Sequence, residues 1–386
     1  MKRSWSNIAR LSAAQALGGA NASVIFATGA VIGSILAPRP AYATAPISMF
    51  VVGMAAGTLP CGWLSQRYGR RVAFMAGTGC GAVCGLVAAL AIWRGSFPLY
   101  CFATFLGGLY AAVVQSFRFA AADGVGAELR PKAVSWVMAG GVFAGVLGPQ
   151  LVTWTMEMWS PYLFAASYVA QTVVAVITMA VLAGVDIPKP PAAEIDLGRP
   201  LLEIVRKPAF IAAALCGVIS YTLMNLIMTS APLAMRLCGL PQSDSNIVIQ
   251  WHVVAMYGLS FVTGALIARF GARTIVAIGL AMIALAAAVG LAGIAFMNFW
   301  AGLALLGFGW NFGFVGASAM VMDAHRPEER TKVQAFNDFL IFGVMALGSF
   351  SSGQILDTYG WGTVNAVAFP LLAIAVATLL ARSKSV

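Results

Sequence analysis

Two short stretches decide how this chain is read: GWLSQRYGRR at residues 62–71 and GALIARFGAR at residues 264–273. Gly62, Leu64, Arg67, Gly69 and Arg71 of the first recur as Gly264, Leu266, Arg269, Gly271 and Arg273 of the second, at a constant offset of 202. A further set recurs at an offset of 200: Leu106 and Gly107 with Leu306 and Gly307, then Asp123, Glu128, Arg130 and Lys132 with Asp323, Glu328, Arg330 and Lys332. Self-similarity at a fixed interval marks a unit used twice. The glycines permit a tight turn between successive helices, and the arginines hold such a turn at a water–lipid boundary.

Long apolar segments flank each stretch. Of 386 residues, 60% are hydrophobic and 9% charged, where a soluble globular chain carries about 25% charged residues. Too little polar material remains to cover a water-facing surface, so the outer surface meets lipid. A crossing helix needs about 20 apolar residues. Such runs fall at 10–36, 46–65, 72–93, 98–121, 133–155 and 161–184, then at 209–231, 246–268, 274–296, 298–322, 334–356 and 362–381. The expected fold is therefore an all-α membrane protein of twelve spans in two six-helix bundles. Residues 1–185 form the first bundle, the proline-rich and charged stretch 186–208 a linker, and 209–386 the second. Within the linker, Arg199–Lys207 suits a short interfacial helix.

Alternating the spans from a cytoplasmic N-terminus places 20 of the 23 lysines and arginines on one side, leaving only Arg39, Arg94 and Arg236 on the other. That asymmetry is the positive-inside pattern, and it predicts a multi-pass protein of the bacterial inner membrane with both termini cytoplasmic. The net charge of +10 is spread through short inter-span groups, unlike the clustered face of a nucleic-acid binder, so no nucleic-acid partner is expected. Ala43-Thr44-Ala45 resembles a signal-peptidase site, but the apolar run from Ile8 to Ala37 is about twice a signal h-region and reads as a retained first span.

Motif, topology and repeat together resemble the major facilitator superfamily. The stretch from Gly62 to Arg71 resembles that family's loop motif GxLxDRxGRR between spans 2 and 3, and Gly264 to Arg273 the degenerate copy between spans 8 and 9. The likeness covers the whole chain. It implies alternating access by two bundles related by an axis along the membrane normal, and a monomer. The gating set it implies is Gly62, Gln66, Arg67, Gly69, Arg70, Arg71 and Asp123, with Gly264, Arg269, Gly271, Arg273 and Asp323. Gln66 departs from the family's acidic residue and carries no charge to hold the gate. Asp123 and Asp323 end spans 4 and 10, and each is expected to clamp the loop arginines of its half.

Substrate and coupling chemistry need not recur between halves. Polar residues with small or apolar counterparts are Arg118 (Ser318), Asp338 (Met138), Asn337 (Val137), Asn311 (Ala111) and His252 (Phe50). Charges at membrane depth are costly and face the protein interior. Asp338, six residues past Lys332 and so about 9 Å along a helix, is the expected proton-coupling carboxylate. Arg118 is its candidate partner and His252 a second titrating group. The resemblance implies that spans 1, 4, 7 and 10 line a cavity. That would place Gln15, Asn21, Tyr110, Gln115, Arg118, Tyr221, Asn225, Thr229, Trp310 and Asn311 on its wall. A wall rich in aromatics and amides suits a neutral or mildly anionic solute with flat surfaces.

No nucleoside-triphosphate loop is present, the two histidines fall in different spans, and no nucleophile–base or metal set is visible. No enzyme activity, cofactor or metal is therefore expected. The expected function is secondary transport of a small organic solute coupled to protons. Efflux of a drug or metabolite ranks ahead of uptake of a vitamin-like aromatic such as a flavin; a non-transporting receptor is the alternative of another class.

Overall fold

In a computed structural model the chain is described over residues 2–123, 130–186, 199–326 and 329–381. Every regular element among them is helical: α1 (Lys2–Leu36), a short 3-10 helix (Pro40–Tyr42), α2 (Ala45–Tyr68), α3 (Arg70–Arg94), α4 (Phe97–Asp123), α5 (Arg130–Thr155), α6 (Ala165–Ala183), α7 (Leu201–Val205), α8 (Pro208–Leu237), α9 (Gln242–Gly258), α10 (Ser260–Phe270), α11 (Ala272–Ala292), α12 (Phe296–Met322), α13 (Arg330–Ala366) and α14 (Ala368–Ala381). Lipid offers no partner for backbone N–H and C=O groups, so a crossing segment must satisfy them within itself.

Ten stretches are long and apolar enough to cross, and α9 with α10 supplies another, bent by 42°. The last of the ten, Phe336–Ala381, has 46 residues. At 1.5 Å per residue it would run about 69 Å, more than twice the hydrocarbon thickness. It breaks at Gly360, whose φ of 78° and ψ of 177° leave the helical region. There Trp361 packs on Phe299 at the start of α12. α14 then returns, with its Ala375 carbonyl beside Cys216 of α8. Two crossings in that stretch bring the total among the described residues to twelve.

The packing repeats between halves. α1 packs with α5, as α8 does with α13; α2 with α4, as α9 with α12; α3 with α4 and α6, as α11 with α12 and α14. The contacts across the middle repeat as well, α5 against α9 and α2 against α13. Both copies of the loop motif share one turn: Gly69 has φ 92° and ψ 157°, Gly271 φ 81° and ψ 148°. A side chain at either position would strain that backbone. The preceding arginines repeat too, Arg67 over the Trp63 and Tyr68 rings at 5.6 and 5.7 Å and Arg269 over Phe270 at 5.1 Å.

Two expectations change. Span 8 is broken at Leu259, where continuous helix was expected. Asn311 of α12 donates to the Met256 carbonyl at 2.6 Å and to Ser260 Oγ at 2.8 Å, and accepts from Thr263 at 2.5 Å. A side chain inserted into the helical ladder is a recognised cause of such a bend. The clamp expected at Asp323 is also not formed: this residue is exposed at the end of α12, and no hydrogen bond or ion pair joins it to Arg269 or Arg273 among the described residues. Glu329 takes the carboxylate role at that corner. It is fully buried and accepts from Arg199 Nε and Nη2 at 2.7 Å each, from the Arg199 N–H at 3.0 Å and from the Arg326 N–H at 2.9 Å. These bonds, led by the Arg199 side chain, hold its carboxyl well below the usual carboxylate range. Its partner Arg199 precedes α7, the short helix expected in the connecting stretch. The other end of that stretch is fastened to α1: Asn7 exchanges bonds with the Asp186 backbone, and Arg10 donates to the Gly184 carbonyl.

Candidate functional site

Two neighbouring spaces lie at the centre of the bundle. The larger, about 720 Å³ including its mouth, lies between α1, α2, α4 and α5 on one side and α8, α9 and α13 on the other. Gln15, Ser23 and Gln115 give it polar points, Gly18, Gly19 and Gly141 give it room, and Met54, Met224, Met228, Met256 and Met345 give it soft walls. Five of the chain's 17 methionines thus face one chamber, a lining that adapts to shape. The smaller recess, narrow and about 380 Å³ only when its open mouth is included, is walled by Tyr221, Tyr257, Trp310, Phe314 and Phe342, with Ser260 and Met138 beside them. Gln115, Tyr221 and Tyr257 belong to both spaces.

The recess is an ordered aromatic box. Tyr221 meets Trp310, Phe314 and Phe342 edge-on, at centroid distances of 5.3, 5.0 and 5.8 Å. Trp310 and Phe314 stack at 5.2 Å with 14° between planes, and Tyr257 closes the corner against Trp310 at 6.1 Å. Edge-to-face and stacked pairs of this kind are each worth about 0.5–1.5 kcal/mol beyond their buried area, so the box holds its shape. Its faces present flat π surface, and Ser260 and Gln115 present hydrogen-bonding edges.

Beyond the chamber the halves close on each other at the end of the bundle away from the termini. Ser48 donates to Ser349 Oγ at 3.0 Å, and Thr44 to the Ser349 carbonyl at 3.4 Å. Gln150 donates to Gln250 at 2.9 Å, Asn246 to Thr153 at 3.0 Å and Gln242 to the Ala27 carbonyl at 3.3 Å. Exposed Arg236 reaches Ser34 at 3.5 Å. A side chain on Gly353 of α13 would collide with Thr44, so the two surfaces are in full contact there. Ser34 lies nineteen residues past the cavity residue Gln15 along α1, about 28 Å at helical rise. The cavity therefore sits on the terminus side of this closure.

Of the residues expected on the wall, Gln15, Gln115, Tyr221 and Trp310 line these spaces. Asn21 is turned into the first half, bonded to the Gly107 carbonyl and to Gln171. Tyr110 packs against Gly18 and Gly81. Asn311 is the wedge at the α9–α10 break. Asn225 and Thr229 are fully buried in α8, one and two turns beyond Tyr221. His252 lies between α9 and α12, its Nδ1 2.7 Å from the Leu303 carbonyl, away from both spaces. Asp338 is half-buried on α13 and accepts from Asn337 at 3.4 Å; it lines neither space. The side chains of Gln66, Arg118 and Asp123 lie outside the described residues. Residue patterns alone missed Tyr257, Phe314, Phe342 and the methionines. Met224 and Met228, four apart beside Tyr221 on α8, were the available signal.

Comparison with known proteins gives a consistent set of likenesses. The model of the Major Facilitator Superfamily matches residues 11–250 and 213–385. The riboflavin transporter RfnT of Brucella anthropi is 44% identical over 381 residues, covering 98% of this chain and 96% of that protein. The uncharacterized MFS-type transporter YdeG of Bacillus subtilis is 33% identical over 367 residues, 90% of this chain and 84% of its own. Among solved structures, a partially occluded inward open conformation of the xylose transporter XylE from E. coli superposes with a TM-score of 0.77 at 13% identity, covering 98% of each chain.

Proposed function

The chain belongs to the Major Facilitator Superfamily, and from that premise we propose that it carries a flat, vitamin-like aromatic solute of the riboflavin type across the membrane by alternating access. The observation that carries the proposal is the aromatic recess beside the central chamber, the two sharing Gln115, Tyr221 and Tyr257. Five ring side chains around a narrow space suit a planar heteroaromatic system, and the wider methionine-lined chamber suits a flexible polar appendage. The 44% identity to a riboflavin transporter along nearly the whole chain supports that solute ahead of efflux of an unrelated drug.

In this proposal residues 1–185 and 209–386 rock as bundles about the connecting stretch 186–208, with the termini in the cytoplasm. The hydrogen-bonded closure then faces outward and the cavity communicates with the cytoplasm. Asp338 is the carboxylate assigned to proton exchange, in the half of α13 nearer the termini, with Arg118 its proposed partner. His252, sealed between α9 and α12, serves packing instead.

Purified protein in liposomes tests this with riboflavin, whose fluorescence reports flux. Saturable riboflavin flux is expected, with Tyr221→Ala raising KM roughly tenfold, the loss of one or two aromatic contacts. Folded protein that moves no riboflavin above empty liposomes sinks the proposal. Asp338→Asn is expected to abolish flux driven by a pH gradient while leaving solute exchange; unchanged pH-driven flux removes Asp338 from coupling. The sidedness of accumulation in intact cells decides between uptake and efflux.

A further inference from the structure

The geometry points to Asn225 and Thr229 as a polar seat on α8 that reads an amide- or imide-type edge of the transported ring, an inference that rests on the aromatic-solute reading above. Asn225 is 0% exposed, and neither its Oδ1 nor its Nδ2 has a partner among the described residues. Each other buried asparagine has at least one partner: Asn7 with Asp186, Asn21 with Gly107 and Gln171, Asn246 with Thr153, Asn311 with three partners, Asn337 through its Nδ2 with Asp338, Asn365 with the Trp361 carbonyl. Thr229 is equally buried, and its hydroxyl too is unpartnered among the described residues. Thr28, Thr78 and Thr178, buried in other helices, each return their hydroxyl to the carbonyl four residues back. Thr229 does not. Leaving such groups unbonded in the interior is costly, and two of them one turn apart on one helix call for a function.

Their position supplies it. Tyr221, Met224 and Met228 of α8 line the chamber. At 100° per residue Asn225 falls about 40° round the helix from Tyr221 and about 60° from Met228, on the edge of the face they present. It lies about 6 Å along the axis from Tyr221, and Thr229 about 6 Å further, toward the closed end. A carboxamide offers a donor and an acceptor side by side. Its complement is a lactam or imide, a ring N–H next to a ring carbonyl. A ring held against Tyr221 with that edge directed along α8 would meet Asn225; Thr229, one turn further on and about 80° round the helix from Tyr221, stands at the margin of its reach.

The test compares riboflavin with its N3-methyl analogue, in which the imide N–H is replaced, using quenching of protein fluorescence in detergent. Wild-type protein is expected to bind riboflavin about tenfold more tightly than the analogue, the difference made by one hydrogen bond. Asn225→Leu is expected to erase that preference by weakening riboflavin alone. Its solute-free melting temperature should be unchanged or raised, because an unpaired amide has been replaced by an apolar side chain of similar size. Thr229→Val should reduce riboflavin affinity severalfold with the fold intact. Equal wild-type affinity for both compounds overturns the inference while leaving the flavin reading in place. So does a preference retained in Asn225→Leu, or a fall in the melting temperature of that variant, which would mark Asn225 as a structural residue. Failure of wild-type protein to bind riboflavin overturns the flavin reading and this inference with it.

Discussion

The two ends of the bundle are held by different chemistry. Away from the termini, the halves meet mostly through neutral hydroxyls and amides: Ser48 with Ser349, Gln150 with Gln250, Asn246 with Thr153. At the terminus-bearing end the bonds are charge-assisted, between Arg199 and Glu329 and from Arg10 to the Gly184 carbonyl. The neutral bonds join one half to the other. The charged ones fasten each end of the connecting stretch to the half it adjoins. A neutral hydrogen bond contributes roughly 0.5–1.5 kcal/mol net, so a handful can break and re-form within a transport cycle. Charge-assisted bonds are about twice as strong and suit contacts that never part. Contacts that must open are weak and numerous, and contacts that carry a tether are strong and few.

The largest effect should come from making a weak contact permanent. Ser48 and Ser349 hydroxyls lie 3.0 Å apart, so cysteines at both positions, in a background without the native six, are expected to form a disulfide. Transport should fall to background on oxidation and return with reductant. Full transport in the oxidised, crosslinked protein would show that this end need not open.

Breaking the tether should cost stability rather than turnover. Glu329→Gln is expected to lower the melting temperature more than any single neutral substitution at the closed end. The pH dependence has a definite sign. Glu329's carboxyl is held below its unfolded value, about 4.3, mainly by Arg199. Its contribution is therefore present in full above that value and lost only as pH falls through the depressed folded one. The gap in melting temperature between wild type and Glu329→Gln should stay constant from about pH 5.5 to 8 and close in acid. A gap that closes near neutrality would contradict the arrangement.

Smaller effects are expected from single neutral bonds. Gln150→Ala or Asn246→Ala should each shift the closed end toward opening by a factor of about 2–10, read as faster labelling of a cysteine buried in the closure. The pair combined should be close to additive if the bonds act independently.

Much of this architecture could be read from the residues. Gly69 and Gly271 stand where only glycine sits comfortably, and the arginines beside them mark the same turn in both halves. Span boundaries followed from apolar length. Three features escaped for physical reasons. The break in span 8 depends on Asn311, some 50 residues away in sequence, bonding to a carbonyl that local pattern treats as satisfied. The carboxylate at the α12–α13 corner is Glu329, which the repeat did not point to because its counterpart is Leu129. The recess draws Tyr257 and Phe342 from α9 and α13, helices outside the four that the family likeness nominated. Gln15, Gln115, Tyr221 and Trp310 were legible because they lie on those four.

The most direct test of alternation between the two ends uses paired spin labels on one protein. One pair, at Trp154 and Ile247, spans the closed end; the other, at Tyr68 and Phe270, spans the two motif loops, and all four positions are exposed. Cycling the protein between its solute-free and solute-bound states in a membrane should change the two distances in opposite directions, the first lengthening as the second shortens. Distances that rise and fall together, or a closed end that never lengthens, would contradict an account in which neutral bonds at one end are made and broken while the tethers at the other persist.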